Sequence, residues 1–151
     1  VLFKEKYEAL KQLLNEENFD KQEYVKLVSE LFIIDLFTID NKISRYDVGG
    51  VEYMYTAAAE SFKSTIENTI YKTVENNLDK TRVQALPIVS NIEVTNIEPT
   101  NFTMPDNTVV EGYKVELSWS YQTDLGYDSK CALIVIPDND KMGVVFYKAK
   151  S

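Results

Sequence analysis

The chain has 151 residues, a formal net charge of −8 and no histidine. This length suits one domain with a single hydrophobic core, and we treat residues 1–151 as that domain. The acidic balance argues against a nucleic-acid partner, which would need clustered lysine and arginine. The missing histidine removes the commonest general base and the commonest metal ligand. This favours a binding protein over an enzyme, and we expect neither a metal site nor a cofactor.

The first forty residues have the apolar spacing of two amphipathic helices. In the first helix, apolar residues recur at intervals of four, three and four, which places them on one helical face. They are Phe3, Tyr7, Leu10 and Leu14. Asp20 is predicted as the N-cap of the second helix, with Glu23 completing a capping box. That helix is expected to run through the segment VKLVSELFIIDLFT.

A ten-residue segment, NKISRYDVGG at 41–50, follows the second helix. Gly49 and Gly50 are poor helix-interior residues and indicate a turn. We interpret the segment as a structural hinge rather than a binding loop, with Asp47 as the N-cap of a third helix. One long third helix is predicted from about residue 51 to the segment ENNLDK. Its apolar stripe comprises Val51, Tyr55, Ala58, Phe62 and Ile66.

The second half of the chain changes to the two-residue period of β-strands. The segment YKVELSWSY alternates and predicts a strand with one face against a core. SNIEVTNIE, SKCALIVI and MGVVFYKA predict three more strands, and the single cysteine, Cys131, is expected to be buried in one of them. The fold class is therefore α+β, with about three N-terminal helices (about 1–80) packed on a curved four-stranded antiparallel sheet (about 86–150). The core-facing residues of the YKVELSWSY strand are Tyr113, Val115, Leu117, Trp119 and Tyr121.

This order of helices followed by an antiparallel sheet resembles the NTF2-like (cystatin-like) cone across essentially the whole chain. The resemblance lies in the order of the elements, and it implies that the long third helix lies in the curl of the sheet. The chain is similar in particular to extracytoplasmic NTF2-like domains of Gram-positive membrane-anchored proteins, including VirB8-like components of conjugation machinery. The fold hosts enzymes, binding modules and assembly parts alike, so it does not by itself give a function.

Asp35 is the most unusual residue of the second helix. On a helical wheel, Lys26 and Glu30 mark the polar side, and Asp35 falls opposite them within the apolar face. A carboxylate there must be paired, hydrogen-bonded or protonated. It is either a pocket acid or base, as the resemblance to NTF2-like enzymes such as ketosteroid isomerase implies, or a structural group. In the second case its partner is Arg45, Lys42 or a tyrosine hydroxyl, or the helix bends near its middle.

Two tyrosines of the predicted third helix form a second candidate site. Tyr53 and Tyr71 are eighteen residues apart, which is five helical turns, and lie opposite the apolar stripe. If that face is free, the two rings can anchor a protein partner, because aromatic residues are enriched at interface hot spots. Alternatively, helices and sheet cover the third helix on both sides.

These observations support two hypotheses of function. The leading one is a non-enzymatic extracytoplasmic binding or assembly domain of a bacterial membrane-anchored protein or lipoprotein, acting through a protein partner or self-association. The sequence has no apolar run of about 18 residues that could span a membrane, and it begins with Val1 rather than methionine. We therefore expect an anchor or signal upstream of Val1, with a cytoplasmic location as the alternative. The second hypothesis is an NTF2-like small-molecule pocket protein or isomerase-like enzyme that uses Asp35, which an unpaired Asp35 in an open apolar cavity would favour.

Overall fold

Four antiparallel strands form one sheet in the order in which they follow along the chain, and three helices precede them. The computed structural model describes all of residues 1–151. The predicted α+β class and the predicted order of helices and strands are confirmed. No helix has the length and apolar content that a membrane span requires. The elements are α1 (Leu2–Leu14), α2 (Lys21–Phe37), α3 (Ala59–Glu67), β1 (Val89–Thr103), β2 (Val109–Tyr121), β3 (Lys130–Asp138) and β4 (Lys141–Ala149).

The central helix α2 begins where the sequence predicts. The Asp20 carboxylate accepts a hydrogen bond from the backbone N–H of Gln22 at 2.9 Å, which satisfies a donor that the first helical turn leaves unpaired. Phe19 packs edge-on against Tyr24, with ring centroids 5.6 Å apart, and so fixes the direction in which the chain enters the helix. The Glu23 carboxylate instead contacts Lys26, so the capping box is only half formed.

α2 does not keep a polar side, contrary to the helical-wheel prediction. Eleven of its 17 residues are buried, and Glu30 is among them. The reason is tertiary, because α1 packs along this side of α2 and brings Lys6 to 3.1 Å from the Glu30 carboxylate. A buried charge needs such a partner. The helical-wheel prediction rests on polar residues facing water. Here Glu30 faces Lys6 of α1 instead.

The predicted long third helix is wrong in extent. Residues 51–58 form two short 3₁₀ turns, and only Ala59–Glu67 is α-helical. Between the two turns, Met54 forms a parallel bridge with Val144, and the backbone N–H of Tyr55 donates to the Val144 carbonyl at 2.8 Å. This hydrogen bond to the sheet replaces the bond that a continuous helix would make there. The segment NKISRYDVGG still serves as a hinge, with Gly50 in the left-handed region at φ +84°.

An irregular strap joins α3 to β1 over residues 68–88. Arg82 fastens it, since its guanidinium donates to the carbonyls of Lys42 and Glu75, each at 2.9 Å, and to that of Asp40 at 3.0 Å. The backbone N–H of Asn77 adds a bond of 2.7 Å to the Ile43 carbonyl. One arginine thus replaces the backbone pairing that a helix or strand would supply.

The hydrophobic core lies between α2 and one face of the sheet. Phe37 of α2 packs against Trp119 and Tyr147, with ring centroids 5.2 and 6.1 Å apart. The predicted core face of β2 is confirmed, because Val115, Leu117 and Trp119 are buried while Tyr113 and Tyr121 pack against the core. Cys131 is fully buried in β3, as predicted, and burial raises the pKa of its thiol.

Glycine at position 49 is a steric requirement of this fold. A Cβ there would overlap the backbone carbonyl of Asp35, so we expect Gly49→Ala to lower the free energy of unfolding by about 3 kcal/mol or more. The matched control is Gly126→Ala. Gly126, unlike Gly49, has a positive φ, +86°, but nothing lies within 4 Å of the added carbon, so only about 1 kcal/mol of backbone strain is expected. Urea unfolding measures both changes, and equal losses would contradict the steric explanation.

Glu30 makes the stability of the fold depend on pH. Burial raises the pKa of its carboxyl above the ordinary 4.5, although Lys6 opposes this. The folded chain therefore holds the proton more tightly than the unfolded chain, and Glu30 becomes destabilising as the pH rises through the folded-state pKa. We expect Glu30→Gln to gain stability relative to the wild type as the pH increases from about 4 to about 8. Urea titrations across this range test it, with Glu8→Gln on the exposed side of α1 as the charge-matched control. Parallel profiles for wild type and Glu30→Gln would contradict it.

Candidate functional site

Asp35 lies in the last turn of α2, and both of its carboxylate oxygens are bound. Oδ1 accepts from Lys42 Nζ at 2.8 Å, and Oδ2 accepts from the backbone N–H of Gly50 at 2.7 Å. The Lys42 ammonium is 7 % exposed and donates also to the side chain of Asn41 at 2.8 Å. Of the partners considered for Asp35, Lys42 is confirmed. The carboxylate therefore holds the 41–50 segment against the end of α2.

Arg45 does not pair with Asp35, so that expectation is wrong. Its Nη2 donates to Asn68 Oδ1 at 3.0 Å, and its guanidinium lies over the ring of Tyr46 at 5.1 Å. A turn closed by the backbone bond from Asp47 N–H to the Ser44 carbonyl directs this part of the loop away from α2. The Arg45 Nε is buried without a hydrogen-bond partner.

Tyr71 is fully buried, so of the two alternatives considered for it, a free face and a covered one, the covered one applies. Its hydroxyl donates to the Leu36 carbonyl at 2.6 Å and accepts from the backbone N–H of Gly49 at 3.2 Å. Burial raises its pKa, so it remains a donor at neutral pH. The two backbone N–H groups of the glycine pair are thus both bound by side chains, Gly49 by Tyr71 and Gly50 by Asp35. The predicted helical position of Tyr71 is wrong because α3 ends at Glu67, before residue 71.

Tyr53 lies apart from Tyr71, in the first 3₁₀ turn, and is half-buried. Its ring meets Phe3 of α1 at 6.4 Å between centroids, in an edge-on arrangement. Burial, reinforced by the carboxylates of Glu52 and Asp35, raises its pKa. The two tyrosines therefore do not form a common surface.

A cavity of about 360 Å³ adjoins Asp35 between the start of α1, the end of α2 and the start of β1. Its lining mixes apolar residues such as Phe3 and Ile34 with the carboxylate of Glu52. A general base in this cavity needs a free carboxylate oxygen. Asp35 would have to give up Lys42 or Gly50 to supply one, and with it the bond that holds the hinge.

A second hollow, a groove of about 450 Å³, runs between α3 and β4. One wall presents Phe62 and Ile66, which lie one turn apart on the same side of α3, and Ile70 just beyond the end of that helix. The wall formed by β4 presents Val145, Phe146 and Tyr147. Phe146 is 42 % exposed, and a large side chain exposed beside an apolar wall marks an interaction surface. The remaining lining residues are Met54, Ala58, Ser61, Thr65, Thr69 and Asp128.

Asp128 closes one end of this groove and organises a cluster of aromatic hydroxyls. Its Oδ2 accepts from the Tyr147 hydroxyl at 2.7 Å, and its backbone carbonyl accepts from the Tyr121 hydroxyl. Tyr121 in turn accepts from the indole N–H of Trp119 at 2.8 Å. Burial first, and Asp128 second, raise the pKa of Tyr147, which keeps that hydroxyl protonated and donating. The Oδ1 of Asp128 receives no hydrogen bond from the chain.

A third hollow, of about 800 Å³, lies along the β1–β2 hairpin and is a weaker candidate. Only four of its 11 lining residues are hydrophobic, and its two charged residues, Lys21 and Glu111, are of opposite sign. It therefore presents neither a concentrated apolar surface nor a net charge that would select a ligand.

Sequence reasoning missed both Asp128 and Phe146. Asp128 lies between two predicted strands, and Phe146 is only one residue of the predicted strand MGVVFYKA. One signal was available, because the last strand of a meandering sheet lies at its edge and an exposed aromatic residue there is unusual. Part of the opposite wall follows from the sequence, since Ala58, Phe62 and Ile66 belong to the predicted apolar stripe, but the end of α3 before Ile70 does not.

Comparison of the chain with protein-family models, with curated proteins and with solved structures finds no match. The site is therefore argued from its geometry alone.

The Asp35–Lys42 pair is expected to stabilise the fold more than Arg45 does. Lys42→Met keeps the aliphatic stem but leaves the half-buried carboxylate without its cation, and we expect a loss of about 2 kcal/mol in the free energy of unfolding. Arg45→Ala removes one exposed hydrogen bond and should cost less than about 1 kcal/mol. Chemical denaturation measures both, and a larger loss in Arg45→Ala would reverse the assignment. The double variant Asp35→Asn with Lys42→Met should recover part of the loss, because it removes the unpaired charge.

Proposed function

We propose that this chain is a non-enzymatic binding or assembly domain that works outside the cytoplasm of a bacterium, as part of a membrane-anchored protein or lipoprotein. The observation that carries the proposal is the groove between α3 and β4. Eight of its 12 lining residues are hydrophobic, and one of them, Phe146, is substantially exposed. Apolar surface of this kind costs free energy in water unless a partner covers it.

The extracytoplasmic and anchored character of the domain draws its support from the resemblance to NTF2-like domains of Gram-positive membrane-anchored proteins. The succession of helices and a four-stranded meander agrees with that resemblance at the level of fold class. An NTF2-like cone would enclose its core between helix and curved sheet. Here Phe37, Trp119 and Tyr147 fill that space with side chains.

The pocket or isomerase-like alternative has less support. It requires an unpaired carboxylate in an apolar cavity, whereas both oxygens of Asp35 are engaged at 2.8 Å or less. A base held in this way is not ready to accept a proton from a substrate. Binding through the groove needs no such rearrangement, since the groove is already open.

Site-specific photo-crosslinking in the native host tests the proposal. Phe146 is replaced by p-benzoyl-phenylalanine, and the cells are irradiated intact. We expect one recurring protein adduct, identified by mass spectrometry. The same substitution at Leu14 is the control, because Leu14 is 45 % exposed, comparable to Phe146, but lies on α1 away from the groove.

No adduct from position 146, or equal adducts from positions 146 and 14, would contradict a binding role for the groove. The same cells, treated with protease before lysis, report the location of the domain. Degradation in intact cells is expected for an extracytoplasmic domain, and protection until lysis would contradict that part of the proposal.

A further inference from the structure

We propose that the groove between α3 and β4 binds an extended peptide segment, which pairs as a fifth strand with the free edge of β4 and places a lysine or arginine side chain against Asp128. This inference rests on the proposed function and specifies the chemistry of the partner. It is based on three features, which are the unpaired edge of β4, the apolar lining of the groove and the charge of Asp128.

The outer edge of β4 is open for most of its length. β4 is the last strand of the sheet, so only one of its edges is paired within the sheet. On the other edge, Met54 forms a parallel bridge with Val144, and the Val144 carbonyl accepts from Tyr55. Beyond Val144, no backbone group of another element reaches residues 145–149. The bridge with Met54 thus occupies this edge at Val144 and leaves the edge along residues 145–149 unpaired. A peptide adds to a sheet by pairing with such an unpaired edge.

The groove sets the side chains that such a peptide needs. Along an extended strand, successive side chains alternate between opposite faces, so every second one enters the groove. There it meets Phe62 and Ile66 of α3, and Ile70 just beyond the end of that helix. The hydroxyls of Thr65 and Thr69 are already committed, because they donate to helix carbonyls at 3.0 and 2.6 Å. This wall therefore favours apolar side chains over polar ones.

Charge complementarity selects the remaining feature of the partner. Asp128 is the one charged residue that lines the groove, and its Oδ1 is free while its Oδ2 is fixed by Tyr147. On α3, Lys63 and Glu67 form an ion pair at 2.7 Å, and Glu60 adds one further negative charge. The chain as a whole carries −8. A cationic side chain of the peptide is attracted by the nearby Asp128 carboxylate and also by the net negative charge of the whole chain.

Selection of random decapeptides displayed on phage identifies a probe, with counter-selection against the Phe146→Asp variant. We expect enriched sequences with apolar residues at alternate positions and one lysine or arginine. Binding of a selected, fluorescently labelled peptide is then measured by anisotropy. Asp128→Asn keeps an oxygen for the Tyr147 hydroxyl but removes the charge, so we expect affinity to fall about tenfold. The dependence of affinity on salt should weaken in the same variant.

Two controls separate the parts of the inference. Asp124→Asn removes a carboxylate from the same loop but outside the groove and should leave affinity unchanged. N-methylation of alternate peptide nitrogens should abolish binding when it blocks the bonds to β4, and should have little effect on the intervening nitrogens. Circular dichroism confirms that each protein variant is folded.

The inference is overturned if no peptide is enriched, if enriched peptides lack a basic residue, if Asp128→Asn binds as well as the wild type, or if N-methylation has no positional effect. Crosslinks from position 146 together with any of these results would leave the proposed function standing and remove only the strand-pairing inference. Absence of crosslinks would remove the proposed function itself.

Discussion

Burial of α2 on every side is the constraint on which the other elements depend. From Tyr24 to Phe37 this helix has few residues in contact with water, so α1, the sheet and the hinge segment must each cover part of it. Covering it traps polar groups that need partners. Lys6 supplies one for Glu30, and Lys42 with the Gly50 amide supplies two for Asp35. The ion pairs of the interior are consequences of where the helix lies.

The hinge illustrates how the same constraint fixes a loop. Gly49 approaches the carbonyl of Asp35 so closely that no side chain fits. The hydroxyl of Tyr71, which follows α3 in the chain, bonds both Gly49 and Leu36. Arg82 then ties the strap to the carbonyls of the segment just before the hinge. Around the hinge, these polar side chains therefore form hydrogen bonds to backbone groups of the chain itself. Between α3 and β4, apolar surface lies beside an unoccupied carboxylate oxygen of Asp128.

The surroundings of Asp35 and of Asp128 therefore differ in how much of each carboxylate is already bound. The Asp35 carboxylate is neutralised by Lys42 within the chain, and its role is structural. Around Asp128, the carboxylate fixes Tyr147 with one oxygen and presents the other to the groove. The edge of β4 adds unpaired backbone groups beside it. A surface that combines these features is suited to recognise a chain segment by its backbone and by alternate side chains, and does not require a preformed catalytic group.

The sequence by itself determined the α+β class, the N-cap at Asp20, the four strands and the inward face of β2, because these follow from local periodicity and capping. It also narrowed the partner of Asp35 to a few residues near in sequence, of which Lys42 is the one used. Tertiary structure decided the rest. The bond from Tyr55 to Val144 shortened α3, the packing of α1 buried Glu30, and the end of α3 sent Tyr71 inward rather than to a surface. Each of these outcomes depends on a contact between residues distant along the chain, which periodicity within one segment does not contain.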